Sequence, residues 1–510
     1  MNFHKMNHLF PRALSLAAFC LSLASLSPSN AQISNAAPTQ AAMPSSLFSR
    51  VLIVSGGPDA LNNQYAIESN ARYVAALTPG AKWRRVLFAD GKRASRTIST
   101  VVDTPRTRAR TVVSWLWELE APGENVALRA PTLSPINGSS TSASIVKNLA
   151  AFAQSNDASG RELVYFTGHG GPGSTFLGGD DFANTLYAAW GSTVSTRQLA
   201  QSLQKSKSTA PLVLVMVQCH GGGFANTMFQ NGDPNGPVWN RDFCGFFASI
   251  AERMAAGCTS EVNERDYQDF TTHFFAALSG TSRDGRAVSG ADYDSSGKVS
   301  LNEAYAYANI NDDSIDVPLN TSDAFLRHVF TAPDNSWQKT SFARVSKDAT
   351  PWQRALLQGL STRLHLSGDK RLQLAQKRLE AERQSNESDE WKVPEGVNTR
   401  EFNAAYSRLE RGLNTGFPRF TSLRGASRTS AISSATTFLA SQPRDLNIVF
   451  GAYSKSVSTS GHAEVEEAQL LRFLRCARSV TLQRRLDQEG TPDQKAVFAR
   501  LRTSEDRGAF

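Results

Sequence analysis

ELVYFTGHGG, residues 162–171, and PLVLVMVQCHGGG, residues 211–223, share one design: an apolar run that closes on glycines and delivers a chemically capable side chain. The first delivers His169 and the second Cys219. A continuous apolar run bounded by glycines reads as a strand buried on both faces, as inside a parallel sheet. Open α/β sheets bind ligands at the carboxyl ends of their strands, where both side chains are expected to sit. A thiol and an imidazole on neighbouring strand ends make a nucleophile and its base.

Outward from these runs, Arg50-VLIVSGG is another strand closing on glycines, and Ile67, Ala71, Val74 and Leu77 mark one face of a helix. Arg85-VLFAD follows as a further strand. Strand, helix and strand in this order form a βαβ unit, which favours a right-handed crossover and parallel pairing. Helices are expected at Val112–Leu119, Ser144–Ala153, Thr196–Leu203 and Tyr267–Leu278, and a fifth strand at Phe243-CGFFASI. From about residue 346 strand-like runs nearly vanish. Helical spacing takes over in Trp352–Leu364, Arg371–Arg383, Glu401–Leu413 and Glu464–Leu486.

The expected fold class is therefore α/β. A mostly parallel sheet flanked by helices fills residues 48–345, and a mainly α-helical domain fills 346–510. Residues 384–396 and 425–436 read as solvated linkers. A chain of 510 residues has room for roughly two to four domains.

Lys5 and Arg12 flank a polar beginning, Ala13–Ser27 is apolar, and Ser29-Asn30-Ala31 is a small-residue cleavage site. These are the parts of a secretory signal over residues 1–31, with an Ala/Pro/Ser-rich flexible leader at 32–47. The apolar stretch is short for a membrane span. The mature protein is expected to be secreted or periplasmic, with no membrane attachment after signal removal. The net charge of +8 is not gathered into a basic run with interleaved aromatics, so no nucleic-acid partner is expected. Cys219, Cys244, Cys258 and Cys476 follow the signal. Export permits disulfides; with Cys219 free as a nucleophile, Cys244–Cys258 is the expected bridge. The other reading makes both small buried hydrophobes.

His169 and Cys219 lie fifty residues apart, the spacing of the caspase pair. YFTGHGGPG, from Tyr165, resembles the His-Gly segment of legumain-type peptidases, and VMVQCHGGGF, from Val215, stands in the place of their nucleophile segment. FFASIAERMAAGC, from Phe246, resembles the strand and loop that follow. Over roughly residues 48–330 the chain resembles a bacterial member of the caspase/legumain/gingipain clan of cysteine peptidases.

That resemblance implies an endopeptidase acting on a peptide or protein. Cys219 would attack the scissile carbonyl, His169 would serve as base and then acid, and the N–H groups of Gly170 and Cys219 would form the oxyanion hole. It also implies a specificity pocket in which Gln64 replaces an arginine and Glu261 supplies an acid, favouring a basic residue before the cleaved bond. Val217 departs from the acidic residue found two places before the legumain nucleophile. Asn62 has two open roles, orienting His169 or forming a turn. His220 is expected to point away from Cys219. The rival reading is a catalytically inactive caspase-like calcium-binding interaction protein. The helical C-terminal region either covers the site or serves as a stabilising or partner-binding domain.

Asp292-YDSSGKVSLN-Glu303 matches the twelve-residue EF-hand loop. Asp292, Asp294, Ser296 and Glu303 supply oxygens at positions 1, 3, 5 and 12, the Lys298 carbonyl stands at position 7, and Ser300 at position 9. Gly297 takes the sharp turn. Residues 280–290 are too rich in glycine and serine for an entering helix, so this is a half-motif. Its expected cofactor is structural calcium.

Overall fold

The computed structural model describes residues 48–101, 107–117, 126–154, 160–175, 178–332, 336–386, 391–418, 420–423 and 425–507. The expected signal and leader lie outside the described residues. The strands are β1 (Phe48–Ser55), β2 (Trp83–Phe88), β3 (Ile98–Val101), β4 (Val126–Arg129), β5 (Arg161–Thr167), β6 (His169–Ser174), β7 (Asp180–Ala189), β8 (Ser192–Ser195), β9 (Leu212–Met216), β10 (Phe243–Phe247) and β11 (Leu319–Asn320).

Six strands form the main sheet in the order β2-β1-β5-β9-β10-β11. All neighbours run parallel except β11, which is antiparallel to β10. Alternation of side chains explains why the strand sequences are continuously apolar. Val51, Ile53, Leu163, Tyr165, Val213 and Val215 face one core, and Leu52, Val54, Val164, Phe166, Leu212 and Leu214 face the other. On the first face lie helices Tyr65–Leu77, Phe270–Ser279 and Leu301–Asn311; on the second lie Ser142–Ala153, Thr196–Leu203 and Thr321–Val329. The expected α/β class and mostly parallel sheet are what the structure has.

The strand order contains a switch. The chain leaves β1 for β2 on one flank and later enters β5 on the other. At such a point the connections diverge and leave a crevice outside the carboxyl ends. The segment after β1, Gly56–Gln64, and the segment after β5, beginning at Gly168, border that crevice.

The domain boundary differs from the one expected at 345/346. The described residues of 101–126 and 382–464 form one compact unit, and the sheet unit takes in residues 127–381 and 465–507. Leu470, Phe473, Leu474 and Val480 join the first core of the sheet, while Leu482, Leu486, Phe498 and Leu501 join the second. The smaller unit is helical, its core built from Val112, Val113, Phe402, Leu409, Ile432, Leu439 and Val449. The expected linker at 425–436 is part of a helix, Gly425–Ala440.

Candidate active site

Each candidate side chain is delivered by the end of a strand. β5 stops at Thr167, Gly168 turns the chain, and His169 opens β6, which pairs antiparallel with β7 and through it β8. β9 stops at Met216, and Val217 N–H still donates to Phe166 O at 3.0 Å. Two residues later comes Cys219. His220 adopts the left-handed conformation (φ 59°), and the chain enters a 3-10 helix at Gly221–Met228.

The two segments then run against each other. A Cβ placed on Gly170 would stand 2.2 Å from the Cys219 carbonyl oxygen and 2.6 Å from Gln218 Cγ. No side chain is compatible with that approach, so glycine at 170 is a condition of the site.

His169 is held from the loop after β1. Its Nε2 lies 2.8 Å from Gln64 Oε1, and the Asn62 main chain hydrogen-bonds the ring. Asp59 shapes that loop: Oδ1 accepts Leu61 N–H at 2.9 Å and Asn62 N–H at 3.0 Å, and Oδ2 accepts the Asn62 side-chain amide at 2.8 Å. Burial lowers the His169 pKa from its ordinary value, against the Asn62 hydrogen bond and the Asp59 charge, which raise it. The resting imidazole is therefore neutral at pH 7.

Cys219 is half-buried and bracketed by one residue of the loop after β10. Ala255 N–H donates to Sγ at 3.3 Å, and the thiol donates to Ala255 O at 3.6 Å. Burial, followed by the neighbouring Cys258, pushes the Cys219 thiol up to about 12. Cys258 sits beside the same strand end, its Sγ donating to Gly168 O at 3.5 Å. Among the described contacts, His169 meets Gln64 and Asn62 rather than the Cys219 sulfur.

The remaining expectations sort themselves by contact. Gln64, expected in a pocket, is engaged with His169. Asn62 does meet His169, through its main chain, while its side chain forms the Asp59 turn. Glu261 is half-buried, its N–H on Thr259 Oγ1 at 3.1 Å and its carbonyl under Tyr267 Oη at 2.5 Å. His220 anchors the loop after β10: its N–H donates to Arg253 O at 2.8 Å, Nδ1 lies 2.7 Å from Ala251 O, and the ring stacks on Phe182. All four described cysteines are free, so the expected Cys244–Cys258 bridge is absent. Cys244 is an inward-facing residue of β10, with its thiol near Ser504 O at 3.8 Å.

Sequence reasoning missed Asp59 and Ala255, and placed Cys258 in a bridge rather than beside the site. Asp59 had a readable signal, because Asp three places before Asn after a Gly-Gly-Pro stop is a turn former. Ala255 had none, since an alanine main chain carries no mark of what it will touch.

In the acidic loop, ligand oxygens of Asp292, Asp294 and Glu303 all lie within 4.8 Å of one another, a spacing that fits one cation. Asp292 accepts Ser296 N–H at 3.0 Å and Gly297 N–H at 2.8 Å, which winds the turn at Gly297 (φ 82°). Glu303 Oε1 accepts Tyr293 N–H at 2.7 Å, and Oε2 accepts Ser300 N–H at 2.7 Å. The other expected ligands face elsewhere. Ser296 Oγ donates to the Lys298 carbonyl at 3.0 Å, and Ser300 caps the helix Leu301–Asn311. The three carboxylates fit a cation as they stand, and Ser296, Lys298 and Ser300 do so only after turning.

No protein-family model matches the chain, and no curated protein matches it. Among the described residues, no helix is long and apolar enough to cross a membrane.

A thiol pushed to about 12 is ionised to only about one part in 10⁵ at pH 7. Alkylation of Cys219 by iodoacetamide in the resting protein is therefore expected to climb about tenfold per pH unit up to pH 10. A plateau near neutrality would show a thiolate already formed.

Proposed function

We propose that this chain is an exported cysteine endopeptidase of the caspase/legumain kind, with Cys219 as nucleophile and His169 as base. The observation that supports it most is the approach of Gly170 to the Cys219 main chain at the carboxyl edge of β5 and β9. In open α/β sheets the carboxyl ends at a strand switch are where a ligand lies, and that is where this reading seats the peptide. The signal-like pattern of residues 1–31 agrees with export.

With a peptide seated across the strand ends, Cys219 passes its proton to His169 Nε2 and the sulfur attacks the scissile carbonyl carbon. A C–S bond forms, the π pair moves onto oxygen, and the N–H groups of Gly170 and Cys219 receive the oxyanion. A donor of this kind is worth roughly 3 kcal/mol of barrier. As the oxyanion collapses the C–N bond breaks, and the imidazolium protonates the departing amine. Water then gives a proton to His169 while its oxygen attacks the thioester carbon. The C–S bond breaks and the proton returns to Cys219.

Because the resting ring leans on Gln64, the cycle includes a turn of His169 from Gln64 toward Cys219 when substrate binds. Contacts of this type commonly tighten only in the substrate complex. Glu261, in the loop that carries Ala255, is the acid that this reading assigns to a basic side chain before the cleaved bond. One observation favours a second reading, a binding domain without turnover: the resting thiol is protonated and the imidazole is engaged elsewhere.

A library of fluorogenic peptides separates the two. The peptidase reading expects cleavage by the mature protein, no cleavage by Cys219→Ala, and a fall in kcat of roughly 10²–10⁴ in His169→Ala. Equal labelling of Cys219 by a peptidyl thiol alkylator in wild type and His169→Ala, without cleavage, would support the binding domain.

The reading includes a structural calcium ion, held first by Asp292, Asp294 and Glu303 and completed by Ser296, the Lys298 carbonyl and Ser300. Calcium there would tie the loop to the helix that follows. At an affinity usual for extracellular modules, 10 mM calcium would stabilise the fold by about 1–3 kcal/mol. Scanning calorimetry is expected to show a rise in Tm that the Asp292→Asn/Asp294→Asn double variant loses. A wild-type Tm indifferent to calcium would make the loop a metal-free turn.

A further inference from the structure

The loop that brackets Cys219 is itself held from behind. Ala256 N–H, one residue beyond the bracketing alanine, donates to Asp316 Oδ1 at 2.6 Å. Phe270 N–H, which opens the helix Phe270–Ser279, donates to Asp316 Oδ2 at 3.0 Å. One fully buried carboxylate thus ties the Cys219 loop to the first turn of a core helix.

Asp316 lies in the short connection 312–318, and Arg472 fills that connection from inside. Arg472 is 2 % exposed; its guanidinium pairs with the buried Asp312 carboxylate at 3.6 Å and donates to main-chain carbonyls. Nε donates to Asp316 O at 2.6 Å, Nη1 to Asp312 O at 2.6 Å and Asn309 O at 3.2 Å, and Nη2 to Ser314 O at 2.9 Å. Asn309 and Asp312 end the helix Leu301–Asn311, whose last carbonyls have no partner within the helix and attract a cation. A planar fork with five donors reaches these four carbonyls at once, one more than the three donors of an ammonium can serve.

A second tether joins the helix that carries Arg472, Pro443–Glu489, to the same loop. Arg253 Nη1 lies 3.0 Å from Glu467 Oε1, and the Arg253 carbonyl receives His220 N–H, next to the nucleophile. Glu467 and Arg472 are five positions apart on the helix Pro443–Glu489, in the part that belongs to the sheet unit.

We propose that Asp316 and Arg472 are positioning residues for Cys219, the carboxylate fixing the loop that brackets the sulfur and the guanidinium fixing the carboxylate's own connection. Helix residues 465–489 are on this account a built-in support of the site, and a variant cut before them loses it. The proposal deepens the peptidase reading, yet its main readout needs no turnover.

The test is the rate at which iodoacetamide alkylates each cysteine of the full chain at pH 8, read by peptide mass spectrometry. Asp316→Asn, which can accept only one of the two N–H bonds, and Arg472→Lys, which keeps the charge without the fork, are expected to loosen the loop. Burial is the main restraint on the sulfur, so alkylation of Cys219 should rise roughly tenfold while Cys244 and Cys476 stay protected. Glu467→Gln, a mild change at the second tether, should raise Cys219 alone by a smaller factor. If peptidase activity exists, kcat should fall in the same variants with KM nearly constant. A Cys219 rate equal to wild type in both Asp316→Asn and Arg472→Lys overturns the proposal. So does an equal rise at all four cysteines with Cys219 unchanged in Glu467→Gln. Absence of peptidase activity in the wild type would sink the functional reading and leave the alkylation result to decide this one.

Discussion

Contact between Gly170 and the Cys219 carbonyl governs the carboxyl edge of the sheet. β5 and β9 are adjacent parallel strands, paired from Glu162↔Leu212 to Phe166↔Met216. Beyond that register the chains would ordinarily diverge, one into a crossover and the other into a helix. Here the absence of a side chain at 170 lets them meet again at Gly170 and Cys219, beyond the last pair. β6 then folds back onto β7, and Cys219 turns through the left-handed His220 into the 3-10 helix. A methyl group at 170 would force both turns apart.

That closeness has an electrostatic consequence. A site shielded by packed main chain disfavours charge, so the thiol is raised and the imidazole lowered, and both rest neutral. A neutral pair is not yet a nucleophile. The hydrogen bonds that occupy the two groups, Ala255 on the sulfur and Gln64 with Asn62 on the ring, are ones that an entering peptide can replace. On the peptidase account the protein waits in a protonated form and is activated by its substrate, a reasonable arrangement for an enzyme that crosses a membrane before use.

Reading the sequence goes furthest where one local pattern has one cause. Continuous apolar runs at 163–166 and 212–216, bounded by glycines downstream, read as strands covered on both sides, and they are. The helix Thr196–Leu203 and the convergence of Asp292, Asp294 and Glu303 follow equally from spacing. The antiparallel β6–β7–β8 element escaped notice because Asp180–Ala189 lies half-exposed and mixes polar with apolar residues without strict alternation. The domain boundary failed for a different reason. Helices at 342–381 and 465–506 carry no local mark that separates them from those at 399–464, and only packing decides that the former cover the sheet. Gln64 was legible as a residue near the site, but its partner was set by the Asp59 turn, which aims Asn62 and Gln64 at His169. The disulfide expectation rested on counting thiols, and Cys244 points into the core from the middle of β10.

Trapping the first covalent intermediate tests the chemistry most directly. The mature protein would be mixed with an activated peptide ester, quenched in acid within milliseconds to seconds, digested, and searched by mass spectrometry for the acyl group. The account predicts a thioester on Cys219 alone, which disappears with time in the wild type and forms far more slowly in His169→Ala. An acyl group on Cys258 or a hydroxyl, or none on Cys219 under conditions where the ester is consumed, would contradict it.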